Sequence, residues 1–127
     1  MILADYHLHT SFSSDSESPM EEMIRHAVSL GLKTICFTEH HDIDYPDNPD
    51  GFDFLLNLPS YKEKLFTLKE QYQDQIEINY GVELGLMPTT LKKCSDFVKV
   101  SPQEFIPLLE KSGLITPVGK WVLEKSI

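Results

Sequence analysis

Apolar residues open the chain, Met1-Ile2-Leu3-Ala4, and after Tyr6 give way to the polar run HTSFSSDSES. The pattern predicts a short buried strand over residues 1–6 followed by a loop. Ser18-Pro19-Met20-Glu21 then sets a capping serine, a proline at the first helical position and a glutamate three residues after the cap, which together mark a helix start. Met20, Met23, Ile24, Ala27, Val28 and Leu30 recur at helical spacing, and Gly31 supplies the stop by tolerating positive φ. A second strand is expected at once over residues 33–38, so that strand, helix and strand form a βαβ unit of a parallel sheet.

Residues 39–59 form an acidic, irregular stretch with Pro46, Pro49, Pro59 and Gly51, of a length more usual in functional or mobile loops. A helix is expected over residues 61–75, with Leu65, Leu68 and Tyr72 at compatible spacing, followed by an alternating strand over 76–80 that runs into Gly81-Val82-Glu83. After Leu91 the pattern changes. Ser101-Pro102-Gln103-Glu104 repeats the capping grammar and predicts a helix through Phe105, Leu108 and Leu109 that stops at Gly113. A last short helix is expected over residues 117–126, carrying Trp121 and Leu123.

The chain's 127 residues suit one domain. Its 20 acidic residues outnumber 11 basic ones for a formal charge of −9, which argues against nucleic acid or an anionic membrane as partner unless a metal supplies positive charge. Cys36 and Cys94 form no Cys-x-x-Cys pair, so neither a disulfide framework nor a thiolate zinc site is indicated, and a reducing compartment fits. No apolar run approaches the ~20 residues that span a bilayer. A soluble, cytoplasmic protein is expected.

Chemistry concentrates where strands end. His7 and His9, two apart, share one side of an extended chain and can converge on one point. By itself such a pair reads equally well as two loop imidazoles without a ligand. The run TEHHD, residues 38–42, begins where the second strand is expected to end, and parallel strands place their carboxyl ends at one sheet edge. His40 therefore joins His7 and His9. Glu83, ending the third strand, reaches the same edge, and Asp15 comes from the loop above it. Imidazole and carboxylate without thiolate suit zinc, manganese or iron, with magnesium less suited. Glu83 could bridge two such ions. Sites of this kind activate water near neutral pH and clamp phosphoryl oxygens, which favours hydrolysis of a small phosphate ester.

Other conspicuous residues have plainer readings. His26 is a surface or half-buried helical histidine. His41 points away from the site, toward solvent or a supporting position. Asp42, Asp44, Asp47 and Asp50 form a solvated acidic loop, one of which could select a cationic substrate group. Cys36 is a core residue, and Trp121 packs a helix.

The ordered motifs DYHLHTSFSSDS, ICFTEHHD and NYGVELG resemble the polymerase and histidinol phosphatase (PHP) family, most closely its histidinol-phosphatase branch. The resemblance implies a distorted (β/α)7 barrel with three divalent metals at the carboxyl ends of the strands. It further implies hydrolysis of L-histidinol phosphate to L-histidinol and phosphate in histidine biosynthesis. By motif, His7 and His9 bind one metal, Glu83 bridges two, and Asp15 and His40 serve a third; His40 and Glu83 are the catalytic residues. Complete members supply further histidines and a closing Asp-x-His pair, whereas this chain has no histidine beyond His41.

Residues 100–123, VSPQEFIPLLEKSGLITPVGKWVL, resemble a segment of the EAL family of cyclic-di-GMP phosphodiesterases that holds none of that family's catalytic acids. The expected architecture is therefore α/β: a partial PHP-type (β/α) barrel, about its first half, over residues 1–91, and a short helical C-terminal extension over 92–127, joined near 92–99. Half a barrel leaves an open strand edge, so a homo-oligomer or a complementing chain is expected to cover it. A non-catalytic metal-binding or interaction module is the alternative reading, and a cyclic-di-GMP role through the tail is a third.

Overall fold

In the computed structural model, residues 2–98 and 120–125 are described. Three parallel strands, β1 (Ala4–Leu8), β2 (Thr34–His41) and β3 (Glu77–Gly85), alternate with helices α1 (Met20–Ser29), α2 (Leu58–Gln71) and α3 (Leu91–Val98). A fourth strand, β4 (Lys120–Lys125), closes the order β1-β2-β3-β4 and pairs antiparallel with β3. The expected α/β architecture is present, and one part of it needs correction. Residues 120–125, placed in a last helix by the sequence pattern, form a strand. Short runs such as Trp121-Val122-Leu123 are compatible with either state, and pairing along β3 decides between them. The expected helix over 101–113 lies outside the described residues.

The first helix follows its sequence signals at one end better than at the other. Met20, Ile24 and Ala27 are buried, and Gly31 takes φ +80° just beyond the end. There the Leu32 amide donates to Ala27 O at 3.1 Å, as in a glycine-terminated helix. At the start, Pro19 rather than Ser18 occupies the cap, without a side-chain capping bond. The Pro19 carbonyl instead accepts from the amides of Glu22 and Met23. In α2 the cap is Asn57, whose side chain accepts from the Ser60 amide at 3.2 Å, so that helix begins and ends earlier than its periodicity suggested. α3, which the sequence pattern did not predict, brings Cys94 into the core at 0% exposure.

Both internal strands are buried almost throughout, as strands covered on both faces are. Ile35, Phe37, Ile78, Tyr80, Val82 and Leu84 join α1 and α2 in one apolar cluster. Side chains in between, Cys36, Thr38 and His40 on β2 and Asn79, Gly81 and Glu83 on β3, fall on the opposite face by the strand's period of two. The register pairs Thr38 with Gly81 and His40 with Glu83. A methyl group on Gly81 would stand 2.9 Å from both Cys36 Sγ and Phe37 O, so close packing of β2 on β3 requires glycine there. The Tyr61 hydroxyl of α2 donates toward Phe37 O and Gly81 O, at 3.1 and 2.9 Å, tying that helix to both strands.

β1 carries an irregularity that aims the site. Asp5 aligns with Ile35 but Leu8 with Phe37, so three residues of β1 run against two of β2. This bulge returns Leu8 to the side of the apolar cluster and leaves His7 and His9 on the face of His40. Regular pairing would have set the imidazoles on the core side, a reversal of the kind bulges produce beside functional sites.

Candidate metal centre

Four residues from three strand ends and one loop residue meet at the carboxyl edge of the sheet. One oxygen, Glu83 Oε2, lies 3.0 Å from His9 Nε2, 3.3 Å from His7 Nε2 and 3.8 Å from His40 Nδ1. Asp15 Oδ2 lies 3.1 Å from His40 Nε2 and 3.4 Å from His9 Nδ1. The ring centroids of His7 and His9 are 4.9 Å apart, and those of His9 and His40 are 4.3 Å apart. All five residues singled out from the sequence are thus brought together. They fall into two groups able to hold a cation, His7 with His9 and Glu83, and His9 with Asp15 and His40, the ligand atoms of each lying within 4.8 Å of one another.

His9 Nε2 and His40 Nδ1 are buried atoms without a hydrogen-bond partner among the described residues, although both face Glu83. Proximity without alignment is what lone pairs converging on a shared point produce. Ligands held ~2.0–2.1 Å from a tetrahedral ion stand roughly 3.3 Å from one another, close to the spacings found here. Unsatisfied polar atoms are costly in a protein interior, and a cation held by His7, His9 and Glu83 would satisfy His9 Nε2. The donor set therefore fits a divalent ion of the zinc, manganese or iron type.

Charge supports the same grouping. Burial would raise the Glu83 carboxyl, but the adjoining His9 nitrogen and the charges of His40, His9 and His7 hold it below the usual glutamate range. Asp15 is likewise held low, its modest burial outweighed by His40 and His9. Contact with Glu83, against the effect of burial, raises His9. Each shift marks a carboxylate and an imidazole positioned to share positive charge.

Some residues took roles that the sequence did not disclose. Glu39, adjacent to His40, is fully buried. It accepts from the Thr10 amide at 3.0 and 3.1 Å, from Thr10 Oγ1 at 2.7 Å and from Ser13 Oγ at 2.5 Å. The available signal was a carboxylate directly after the apolar run Ile35-Cys36-Phe37 of an internal strand, where a buried carboxylate demands donors. His41 is buried rather than solvent-exposed. Its Nδ1 accepts from the Leu56 amide at 3.2 Å and its ring lies 5.2 Å from that of Phe97. Burial lowers its pKa against the opposing influence of Asp42. Asp42 is also buried, in contrast to the expected solvated position, whereas Asp44, Asp47 and Asp50 are exposed. Residues 42–57 fold over the site. Phe54 sets its ring edge-on to His40 at 4.7 Å, and Tyr45 and Phe52 pack on Phe54. His26 is exposed and Cys36 is buried, both as expected.

Fold and site together define a parallel α/β protein with a histidine and carboxylate cluster, suited to a divalent cation, at the carboxyl edge of its sheet. The PHP domain family matches residues 5–114, and the chain belongs to that family. The histidinol-phosphatase of Lactococcus lactis is 37% identical over 102 residues, covering 80% of this chain and 36% of that protein. A probable histidinol-phosphatase of Deinococcus radiodurans is 28% identical over 91 residues, covering 71% of this chain and 35% of that protein. The crystal structure of the Lactococcus lactis histidinol phosphate phosphatase, complexed with zinc, L-histidinol and phosphate, superposes with a TM-score of 0.69 at 37% identity. That likeness covers 78% of this chain and 36% of the other. The chain thus spans about a third of the length of these relatives.

Proposed function

We propose that the chain carries the first part of a metal-dependent phosphomonoester hydrolase of the histidinol-phosphatase lineage, acting on L-histidinol phosphate to give L-histidinol and phosphate in histidine biosynthesis. The observation that carries this reading is the single Glu83 oxygen facing three imidazoles at 3.0 to 3.8 Å. The relatives named as histidinol-phosphatases support the substrate. His7, His9 and Glu83 would hold one divalent ion, and Asp15 with His40 would hold another. Such ions supply positive charge for phosphoryl oxygens and lower the pKa of water. Glu83 would hold the ion beside His7 and His9, and His40, between Glu83 and Asp15, would help the alcohol leave. The aromatic residues over His40 exclude water from that side.

A second reading, a non-catalytic metal-binding or interaction module, is favoured by the openness of the cluster, with the His7 side chain 53% and that of Asp15 40% exposed. β1 pairs only with β2 among the described residues, and Ile2, Leu3 and Tyr6 are exposed beside it. A second copy or a complementing chain along that edge would cover both features. The EAL-like segment 100–123 lies mostly outside the described residues, and a cyclic-di-GMP role for it is tested by calorimetry with that nucleotide. No described helix is long and apolar enough to cross a membrane. Cys36 and Cys94 form no disulfide, and a cytoplasmic location is part of this reading.

Metal analysis and phosphate release from L-histidinol phosphate separate the two main readings. Protein loaded with zinc, manganese or iron should release phosphate faster than buffer. Bound metal with no release would establish the module instead, and absence of bound metal would refute both.

A further inference from the structure

We infer that Glu39 is a positioning residue for the Asp15–His40 end of the cation site, acting through Ser13. This rests on the cation-holding role proposed above and adds to it a residue outside the ligand set. Glu39 sits beside His40 on β2 with its side chain fully buried. Among the described residues its hydrogen bonds come from the loop that follows β1, from Thr10 N, Thr10 Oγ1 and Ser13 Oγ. Both of its oxygens accept from this loop, Oε1 from the Thr10 amide and hydroxyl and Oε2 from the Thr10 amide and the Ser13 hydroxyl. Ser13 does more than fill that demand. With its proton given to Glu39, its oxygen accepts from the His40 backbone amide at 3.0 Å. A continuous path therefore runs from the Glu39 carboxylate through the Ser13 hydroxyl to the backbone of a candidate ligand.

The same loop carries His9 on one side of Thr10 and Asp15 two residues past Ser13. The Ser13 amide donates to Thr10 O at 2.9 Å, and the Ser16 hydroxyl donates to His9 O at 3.2 Å. Glu39 thus anchors a small, internally bonded turn to β2, and the spacing of His9 and Asp15 from His40 follows from that anchor. His7 stands before the turn and Glu83 on another strand, so the His7–His9–Glu83 group depends on it less. Partners that orient ligands commonly alter metal affinity by roughly ten- to hundred-fold when removed.

Cobalt(II) is a suitable probe, because its visible absorption reports coordination directly. In Ser13→Ala, affinity at the Asp15–His40 end should fall roughly ten-fold; Glu39→Gln, which keeps the size and one acceptor, should lose less, and Glu39→Ala more. In an Asp15→Asn background, where only the His7–His9–Glu83 group reports, Ser13→Ala should change affinity by less than about two-fold. Unchanged affinity in Ser13→Ala, or an equal fall in both backgrounds, would overturn the inference. Wild-type protein that takes up no cobalt would count against the cation reading itself. Glu39 is then judged on the cation-free protein, where the ring nitrogen resonances of His9 and His40 should move in Ser13→Ala and Glu39→Gln; resonances that stay in place refute the role.

Discussion

Glu83 owes its importance to one atom. Oε2 is nearest neighbour to two imidazole nitrogens and within 3.8 Å of a third, a crowding that makes sense for a charge shared with a cation. Glu83→Gln keeps the side-chain volume but halves the acceptor capacity and removes the charge. It should weaken cation binding by at least ~100-fold, beyond the range usual for residues that only support a ligand, and modestly lower the thermal stability of the cation-free protein near neutral pH, because the imidazoles that hold the Glu83 carboxyl low also stabilise its charge. Calorimetric titration with zinc, paired with a melting curve, checks both parts. A near-normal zinc affinity would remove Glu83 from the centre of the site.

At the level of elements, the parallel pairing of β2 and β3 is what delivers Glu83 to His40, through the register that opposes Thr38 to Gly81 and His40 to Glu83. Gly81 is its tightest point, and Cys36 Sγ, Phe37 O and Thr38 Cγ2 leave no room for a methyl group. Gly81→Ala should therefore destabilise the fold by about 1–3 kcal/mol, the usual cost of overpacking a filled interior, seen as a lower urea midpoint. An unchanged midpoint would mean that the strands separate freely there. The β1 bulge works on the other side of β2 and fixes which face the first two imidazoles occupy.

The whole molecule concentrates carboxylates and imidazoles at one sheet edge, where a cation would find ligands already in place. A cation bound only by the folded state stabilises it by about 2.7 kcal/mol when present at 100 times its dissociation constant, or a rise in melting temperature on the order of 10 °C for a domain of this size. Zinc should raise the melting temperature accordingly and chelation with EDTA should reverse it, as followed by scanning calorimetry. A melting temperature indifferent to both would show that the cluster takes up no ion in the folded state.

Local pattern alone settled a good deal: the βαβ alternation, the glycine stop after α1, and the placement of His7, His9, His40 and Glu83 at one sheet edge. Each follows from periodicity and from the polarity of parallel strands, which short stretches of chain encode. Tertiary structure decided the rest. The bulge that turns His7 and His9 from the core face to the site, the burial of Glu39, His41 and Asp42, and the strand state of residues 120–125 all depend on what a distant segment places alongside. A carboxylate in a strand reads the same in sequence whether water or buried hydroxyls receive it; only the folded loop from Thr10 to Ser13 supplies those hydroxyls to Glu39.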